Sequence, residues 1–479
     1  MINWEIKVGK NMVKVLKDMF SIKRMIKQNQ IYGELPSEKE VYSTAFKISW
    51  PCTLETVLVG LVSSVDIMMV GGLGAKAIAA VGLTNQPKFL LLALIRSLNI
   101  GVTAISARRK GEKDYNGANS CLRQSIVLSF LISITMAILG YFFADDILKF
   151  AGAGDDVIAD SIAYYEILMI SIVFTSLSLT MNAAQRGIGK TKISMKTNVM
   201  ANIFNITFDY LLINGIWIFP RMEVRGAAIA TVIGSIVAFL MSVKSLRKQG
   251  EFLELKLKAN WKFDKKVLSS LLSISGSAAI EQMFMRVGFF SYAKIVASLG
   301  TVAFAVHQIC MNLLELSFCF GEGLSVAASS LVGQNLGARR PDKAIVYGKA
   351  GQRMAFVVSV VLFILFFFGR RELVGIFNRD IDILNLGSKV MIIVAIVTFF
   401  QTTQTVFLGC LRGAGDTKFV AKISFVSIGI IRPIVAWIFV NPLNLGLIGA
   451  WFSLAMDQII RCLLGRKRFN SGKWTKIKI

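Results

Sequence analysis

Twelve apolar stretches, separated by short connections rich in charge, constrain what this 479-residue chain can fold into. A stretch of about 20 apolar residues can cross a bilayer as a helix, because a helix pairs all of its backbone polar groups internally. Hydrophobic residues make up 54% of the chain and charged residues only 17%, a composition unlike that of an average soluble domain. We expect an all-α integral membrane protein with twelve transmembrane helices near residues 43–70, 80–105, 120–143, 161–185, 194–217, 226–243, 268–297, 302–332, 354–369, 386–411, 420–440 and 445–464.

The basic residues lie in alternate connections, so the charge pattern also predicts the orientation of the helices. Residues 145–160 carry five aspartates, whereas Lys and Arg collect near residues 108–113, 186–196, 244–266, 339–343 and 412–422. Membrane proteins keep their excess of Lys and Arg on the cytoplasmic side. We therefore expect a multi-pass protein of the plasma (inner) membrane with both termini cytoplasmic. The net charge of +25 then needs no nucleic acid to explain it.

Several other classes of chemistry lack the residues that they need. The chain has one histidine, and its six cysteines, at 52, 121, 310, 319, 410 and 462, occur singly. A His-based metal site, a zinc-binding C-x-x-C pair, a disulfide framework and Ser-His catalysis are therefore not indicated. We expect a monomer without enzymatic activity and without a cofactor.

The N-terminal segment, residues 1–42, carries bases between apolar residues that recur every three or four positions. Such a pattern favours a basic amphipathic helix on an anionic membrane surface, with a disordered basic tail as the alternative. At the other end of the chain, residues 466–479 are expected to form a basic cytoplasmic tail. The apolar face of the N-terminal segment consists of Val8, Met12, Val15, Met19, Ile22 and Ile26.

The two halves of the chain repeat each other at a constant offset of 226 residues. LGAKAIAAV at 73–81 corresponds to LGTVAFAVH at 299–307, and RGIGKTK at 186–192 corresponds to RGAGDTK at 412–418. Six spans per half insert both halves the same way round. We therefore expect two six-helix bundles, residues 43–243 and 268–465, related by a pseudo-two-fold axis along the membrane normal and joined by a cytoplasmic linker at 244–267. A cleft between two such bundles is the substrate path of a secondary transporter that works by alternating access.

Six pieces of sequence, in order along the chain, resemble the multidrug and toxic compound extrusion (MATE) family of antiporters. The resemblance covers roughly residues 43–465 and implies export of small cationic or amphiphilic compounds in exchange for H⁺ or Na⁺. An alternative within the same superfamily is a flippase of a lipid-linked precursor, for which Arg96, Arg286, Lys294 and Arg432 are the candidate basic residues. The six pieces are Pro51 to Asp66 with VDIMMVGGLG at 65–74, RGIGKTK at 186–192, NIFNITFDYLLI at 202–213, AVHQI at 305–309, LVGQNLGA at 331–338 and LRGAGDTKF at 411–419.

The resemblance also implies an ion-coupling site in the N-terminal half. Asp66 matches the family's first-helix acid, and Asn205 with Asp209 matches the asparagine and acid that accompany it in some members. Asn182 and Thr231 match further residues of that site. Gln401 stands where the NorM-like branch has an aspartate, so the acidic residues are DinF-like rather than NorM-like. This difference favours coupling in the N-terminal half.

Physical chemistry supports the same three central residues. A carboxylate inside a membrane span is costly and is by default a functional hypothesis. Asn205 and Asp209 lie one helical turn apart on one face, and with Asp66 they offer carboxylate and amide oxygens, which suits Na⁺. Two carboxylates in a low-dielectric cavity suit a shared proton equally well. The sequence does not separate the two ions, and we favour H⁺ slightly.

Other polar residues are candidates for the substrate cleft, namely Glu55, Glu281, Glu315, Glu322 and Gln401. Glu315 and Glu322 lie two turns apart on one face of the eighth span, near Met311, Phe318 and Phe320. Acids attract a cation, and soft or aromatic side chains hold an amphiphile. A stripe of Met and Phe in a membrane helix is more often simple packing, so both interpretations stay open.

Overall fold

A computed structural model describes residues 20–155, 157–256, 258, 261–477 and 479. These described residues form helices and no strand, and ten of the long helical segments are apolar enough to cross a membrane. Two further long segments, α5 and α7, carry charged residues within their length. The expected all-α membrane fold is confirmed. The long segments are α1 Glu38–Gly71, α2 Ala75–Glu112, α3 Tyr115–Phe142, α4 Ile158–Gly187, α5 Thr191–Asn214, α6 Glu223–Leu246, α7 Lys265–Ala297, α8 Thr301–Gly337, α9 Pro341–Phe368, α10 Ile381–Gly413, α11 Thr417–Val440 and α12 Gly446–Asn470.

Three features of the helix pattern differ from the prediction. α9 begins at Pro341, well before the expected residue 354, because it extends out of the apolar window into polar sequence. Two short helices, Ala144–Phe150 and Arg370–Phe377, precede α4 and α10 and are too short to be found from an apolar window. α11 contains a π-helical stretch, Phe425–Ile431, which widens the helix by one residue per turn.

The backbone repeats at the offset of 226 residues that the sequence shows. A glycine with positive φ precedes both α2 and α8, and another lies in the turns before α5 and α11. Only glycine adopts this conformation without steric cost, so these turns are fixed by the residue type. The equivalent φ values are 104° at Gly74 and 96° at Gly300, 85° at Gly189 and 87° at Gly415, and 58° at Lys113 and 57° at Arg339.

The two halves meet through α1 and α2 on one side and α7 and α8 on the other. At the contact of α2 with α8, a Cβ on Gly111 would lie 1.8 Å from the carbonyl oxygen of Gln334. The equivalent Gly337 would place a Cβ 2.1 Å from the carbonyl oxygen of Arg108. Both glycines lie near the end of the bundle that carries the basic connections, which we call the basic face. The halves therefore touch there with backbone against backbone, around the pseudo-two-fold axis.

Residues 20–37 do not form the amphipathic helix that was predicted across residues 1–42. They contain two 3₁₀ turns, Ile22–Arg24 and Gln28–Gln30, before α1 begins. Ile22, Met25 and Ile26 are buried against side chains of α1, α8 and α9. The apolar face at residues 22 and 26 thus packs on protein and not on a membrane surface. Residues 8–19 of the predicted helix lie outside the described residues.

The C-terminal segment after α12 is packed and is not a free basic tail. Trp474 is fully buried and stacks on Phe469 with ring centroids 5.0 Å apart. Arg108 at the basic end of α2 donates a hydrogen bond of 2.6 Å to the carbonyl oxygen of Ile477. The segment therefore starts on the C-terminal half and contacts the N-terminal half across the basic face.

Candidate functional site

The carboxylates of Asp66 on α1 and Asp209 on α5 lie within hydrogen-bonding range of each other. Asp209 is only 2% exposed. No donor among the described residues reaches either carboxylate oxygen of Asp209 or Oδ1 of Asp66. Two ionised carboxylates have acceptors only, so a hydrogen bond between them requires a proton on one of the two. The pair is a natural site for one proton or another small cation.

Two further side chains face this carboxylate pair. Lys88 on α2, one residue after Pro87, is partly buried, and its charge acts on Asp66 from beyond ion-pair contact. Tyr164 on α4 is buried and lies within electrostatic range of both carboxylates. The sequence analysis missed both residues. A single lysine inside the apolar window 80–105 was the available signal for Lys88.

Asn205 and Thr231 lie beside the pair, as the sequence suggested. Asn205 is buried on α5, one turn before Asp209, and no acceptor among the described residues pairs with its Nδ2 atom. Gly234 of α6 packs against Asn205, and Gly226 packs against Leu212, which places Thr231 of α6 at the level of Asp209. The Thr231 hydroxyl donates to the Ala227 carbonyl oxygen at 3.0 Å.

Asn182 lies elsewhere in the N-terminal half. It is fully buried on α4 and pairs with Ser178 and Ser242, its Oδ1 atom accepting from the Ser242 hydroxyl at 3.3 Å. On the same helix it is 18 residues from Tyr164, a rise of about 27 Å. Because Tyr164 lies beside the carboxylate pair, the structure does not bring Asn182 to the ion site that was expected to include it.

Glu55 and Glu281, expected in the substrate cleft, form buried ion pairs within their own halves. Glu55 accepts from Arg186 at 3.0 Å and also from Ser194 and Asn198. These contacts join α1 to the basic ends of α4 and α5. Their strength gives both glutamates a structural explanation.

The equivalent Glu281, 1% exposed, accepts from Arg412 at 2.7 Å and from Ser424 at 2.9 Å. Its partner is therefore the arginine of the RGAGDTK turn and not Arg286 on its own helix. Glu281 is the repeat counterpart of Glu55, and Arg412 is the counterpart of Arg186. The repeat thus conserves the whole ion pair.

Gln401 is buried between α10 and α8, inside the C-terminal bundle. Its Oε1 atom accepts from the Ser317 hydroxyl at 3.3 Å, and it is 6% exposed. This position gives Gln401 a packing role between two helices of one half. The structure does not place it in a cleft between the halves.

Charged side chains from both halves converge midway along α2, α7 and α8. Arg96 and Arg286 both lie within electrostatic range of Glu315, and Arg286 lies over the ring of Phe89 at 5.7 Å. Arg96 and Glu315 are exposed although they are far from the ends of their helices. Glu322 follows two turns along α8 and acts on both Glu315 and Arg412. We call Arg96, Arg286, Glu315 and Glu322 the central charges; they lie at the junction of the two halves.

The two remaining basic candidates differ in position. Arg432 is 1% exposed and ion-paired with Asp457 inside the C-terminal half, so it cannot reach a ligand in the junction. Lys294, near the end of α7 away from the basic face, is exposed. Among the described basic residues considered for the cleft, Arg96 and Arg286 are the ones found at the junction.

Comparison with known proteins agrees with this architecture. The family model described as MatE matches residues 51–211 and again residues 277–438. The second match begins 226 residues after the first, which is the offset of the internal repeat. The duplication predicted from the sequence is thus confirmed as two copies of one family unit.

Relatives match along most of the chain. The probable multidrug resistance protein NorM of Thermotoga maritima is 28% identical over 446 residues, 92% of this chain and 95% of that protein. The multidrug resistance protein PmpM of Pseudomonas aeruginosa is 25% identical over 358 residues, 74% of each chain.

A solved structure of a multidrug resistance MATE family transporter of the MOP superfamily, in an outward-facing conformation, superposes with a TM-score of 0.84. That structure shares 21% identity and covers 90% of this chain and 97% of its own, so it supports the fold. The MatE match covers well over half of the sequence. The chain therefore belongs to the MatE family of multi-pass membrane transporters, which is not an enzyme family.

Proposed function

We propose that this protein is a secondary active antiporter that exports cationic or amphiphilic compounds in exchange for H⁺, by alternating access of its two helical bundles. Its basic face is cytoplasmic, with both termini on that side of the inner membrane, and the protein works as a monomer without a cofactor. Multidrug resistance proteins among its relatives support the substrate class.

The observation that carries the proposal is the carboxylate pair of Asp66 and Asp209. A hydrogen bond between the two acids needs one proton, and that proton leaves when a cationic substrate or a change of access stabilises both charges. Among the described residues, no group of three or more His, Cys, Asp or Glu side chains is arranged to bind a metal ion. These features favour H⁺ over Na⁺, and they support the DinF-like arrangement in which coupling belongs to the N-terminal half.

The backbone contacts at the basic face support alternating access. Gly111 and Gly337 hold α2 and α8 together at that face, whereas Arg96 and Glu315 are exposed deeper along the same helices. A substrate at the central charges would meet one accessible side at a time, and rocking of the halves about the glycine contacts would exchange the sides. Glu315 and Glu322 supply the negative charge that a cationic substrate needs.

Transport in membrane vesicles with separately imposed gradients tests the coupling ion. We expect a pH gradient alone to drive ethidium movement against its own gradient, and a Na⁺ gradient at uniform pH to drive none. Ethidium movement driven by Na⁺ alone would show that the antiporter assignment holds and that the proton assignment is wrong. Absence of movement under both gradients would overturn the antiporter proposal itself.

A second candidate, a flippase of a lipid-linked precursor, is supported by Arg96 and Arg286 at the junction of the halves. Two guanidinium groups suit the phosphates of such a lipid. Glu315 and Glu322 at the same place oppose a doubly negative ligand, which is why we rank this function second. Translocation of a lipid-linked oligosaccharide in proteoliposomes, without a dependence on pH gradient, would favour it.

A further inference from the structure

A second buried charged cluster lies in the C-terminal half, between α7, α8, α11 and α12. Asp457 of α12 accepts from Arg432 of α11, from Arg461 at 3.0 Å and from the Ser427 hydroxyl in the π-helical stretch. Asp457 is completely buried, Arg432 is 1% exposed and Arg461 is 6% exposed. Two guanidinium groups thus share one carboxylate away from solvent.

The nearby acid does not remove the excess positive charge. Glu281 also acts on Arg461, but Glu281 is already ion-paired with Arg412. Three arginines and two acids make up this connected set, so one positive charge stays uncompensated if all are ionised. Burial of an unpaired charge costs several kcal/mol, on the order of the penalty for breaking a buried ion pair. This surplus is not visible in the sequence, because the five residues come from α7, α10, α11 and α12.

Several buried polar atoms around Arg432 have no hydrogen-bond partner among the described residues. They include the Nε and Nη1 atoms of Arg432, the hydroxyl of Tyr292 and the indole Nε1 of Trp451. Each of these side chains is no more than 2% exposed. Buried donors in proteins are nearly always paired, so a group of them in one region calls for a ligand that accepts hydrogen bonds.

Aromatic rings enclose the same region. The ring of His307 lies 5.5 Å from that of Tyr292 and 5.7 Å from that of Trp451, measured between centroids. The guanidinium of Arg432 lies 4.9 Å from the ring centroid of Phe289 and 5.8 Å from that of Tyr292. These spacings leave room only for a small ligand. Donors, surplus positive charge and tight enclosure together specify a small acceptor of negative charge.

We propose that the C-terminal half binds a small monovalent anion of halide size beside Arg432, held by the free edge of its guanidinium together with Tyr292 and Trp451. The anion compensates the surplus charge of the arginine and acid network and pairs the buried donors. This site is separate from the carboxylate pair of the N-terminal half. It does not depend on which ion drives transport.

The test measures the thermal unfolding midpoint of the purified full-length protein while bromide replaces gluconate at constant ionic strength. A ligand that binds the folded state raises the midpoint in a saturable way. We expect such a rise for the parent protein. In Tyr292→Phe and in Trp451→Phe, each of which loses one donor to the anion, the apparent bromide affinity should fall by about tenfold, the effect of losing one charge-assisted hydrogen bond.

Tyr165→Phe is the matched control. Tyr165 is a fully buried tyrosine of the N-terminal half whose hydroxyl also has no partner among the described residues, so the substitution makes the same chemical change away from the proposed site. Its bromide affinity should equal that of the parent. The proposal is overturned if the parent shows no saturable dependence on bromide, or if Tyr165→Phe loses affinity as much as Tyr292→Phe and Trp451→Phe do.

Anomalous diffraction from crystals grown in bromide provides a second measurement that does not depend on the stability of any variant. We expect a bromide peak within hydrogen-bonding distance of the Arg432 guanidinium. Water alone at that position, in crystals where bromide is found at other sites, would also overturn the proposal.

Discussion

The N-terminal and C-terminal halves share a scaffold and differ in charge at equivalent places. Asp66 of the N-terminal half corresponds to Tyr292 in the repeat, so the carboxylate pair faces a counterpart built from Tyr292, His307 and Arg432. One half presents hydrogen-bond acceptors and negative charge, and the other presents donors and positive charge. The duplication has therefore kept the framework while the two centres acquired opposite chemistry.

The shared part of the framework lies near the basic face. Glu55 with Arg186 and Glu281 with Arg412 are equivalent ion pairs of 3.0 Å and 2.7 Å, one in each half. Each fixes the first helix of a half to the turn after its fourth. Substitutions at these pairs test what the halves share, and substitutions at Asp66 and Lys88 test how they differ.

The largest effect is expected from Asp66→Asn. Removing one carboxylate leaves Asp209 without the partner that shares its proton, so export of ethidium from a pump-deficient host should be lost. Asp145→Asn is the matched control, because Asp145 is exposed in a short helix outside the long segments and pairs only with Lys149. Undiminished export by Asp66→Asn in cells that contain normal amounts of the protein would contradict the assignment of coupling to the N-terminal half.

Glu281→Gln and Glu55→Gln should each destabilise the protein. Either change leaves a buried arginine without its carboxylate, which costs about 3–5 kcal/mol. The measurement is the free energy of unfolding by denaturant in detergent, with the exposed Glu372→Gln as control. Comparable losses in the two variants would support an equivalent scaffold in both halves. A large loss in one variant and none in the other would show that only one half relies on its ion pair.

Lys88→Met should slow proton-driven ethidium export by about fivefold, because an electrostatic interaction of about 1 kcal/mol with Asp66 is removed. Lys88→Arg keeps the charge and should retain most of the rate. Lys76→Met, an exposed position near the start of the same helix, is the control for loss of a lysine from α2. Equal initial rates for Lys88→Met and Lys76→Met would exclude a role of Lys88 in the carboxylate site.

The smallest effect concerns Lys190 and Glu251, which link the turn before α5 to the connection between the halves. The Lys190 ammonium donates to the Glu251 carboxylate and holds the pKa of Glu251 below its ordinary value. A carboxyl with a lowered pKa stabilises the fold above its unfolded pKa, and this contribution disappears as the pH falls through the folded pKa.

Glu251→Gln should therefore destabilise the protein by about 0.2–1 kcal/mol at neutral pH, the range for solvent-exposed ion pairs, and by less in acid. Unfolding midpoints of parent and variant at the two pH values provide the comparison. A difference that grows as the pH falls would contradict the pairing.

The fold was predictable from the sequence to a large extent, because the bilayer imposes a simple length rule on apolar stretches. The constant offset that relates Glu55 to Glu281 also predicts the two halves. Within the candidate site, Asp66, Asn205 and Asp209 were found because polar residues inside apolar spans are rare. The structure places all three in one region of the N-terminal half.

The remaining features depend on contacts that periodicity cannot specify. Arg412 was the partner of Glu281, and the choice of partner follows from the packing of α7 against α10 and α11. The apolar face at Ile22 and Ile26 was recognised, but a hydrophobic pattern does not distinguish a protein surface from a lipid surface. Asn182 and Gln401 were assigned from their resemblance to other chains, and their helices place them in other contacts.

Proton release on substrate binding tests the central claim most directly. Ethidium added to the purified protein in weakly buffered detergent solution should displace the proton shared by Asp66 and Asp209, and a pH indicator records its appearance in the medium. We expect release from the parent and from Asp145→Asn, and none from Asp209→Asn. Equal release from the parent and from Asp209→Asn would contradict the claim that the carboxylate pair of the N-terminal half holds the coupling proton.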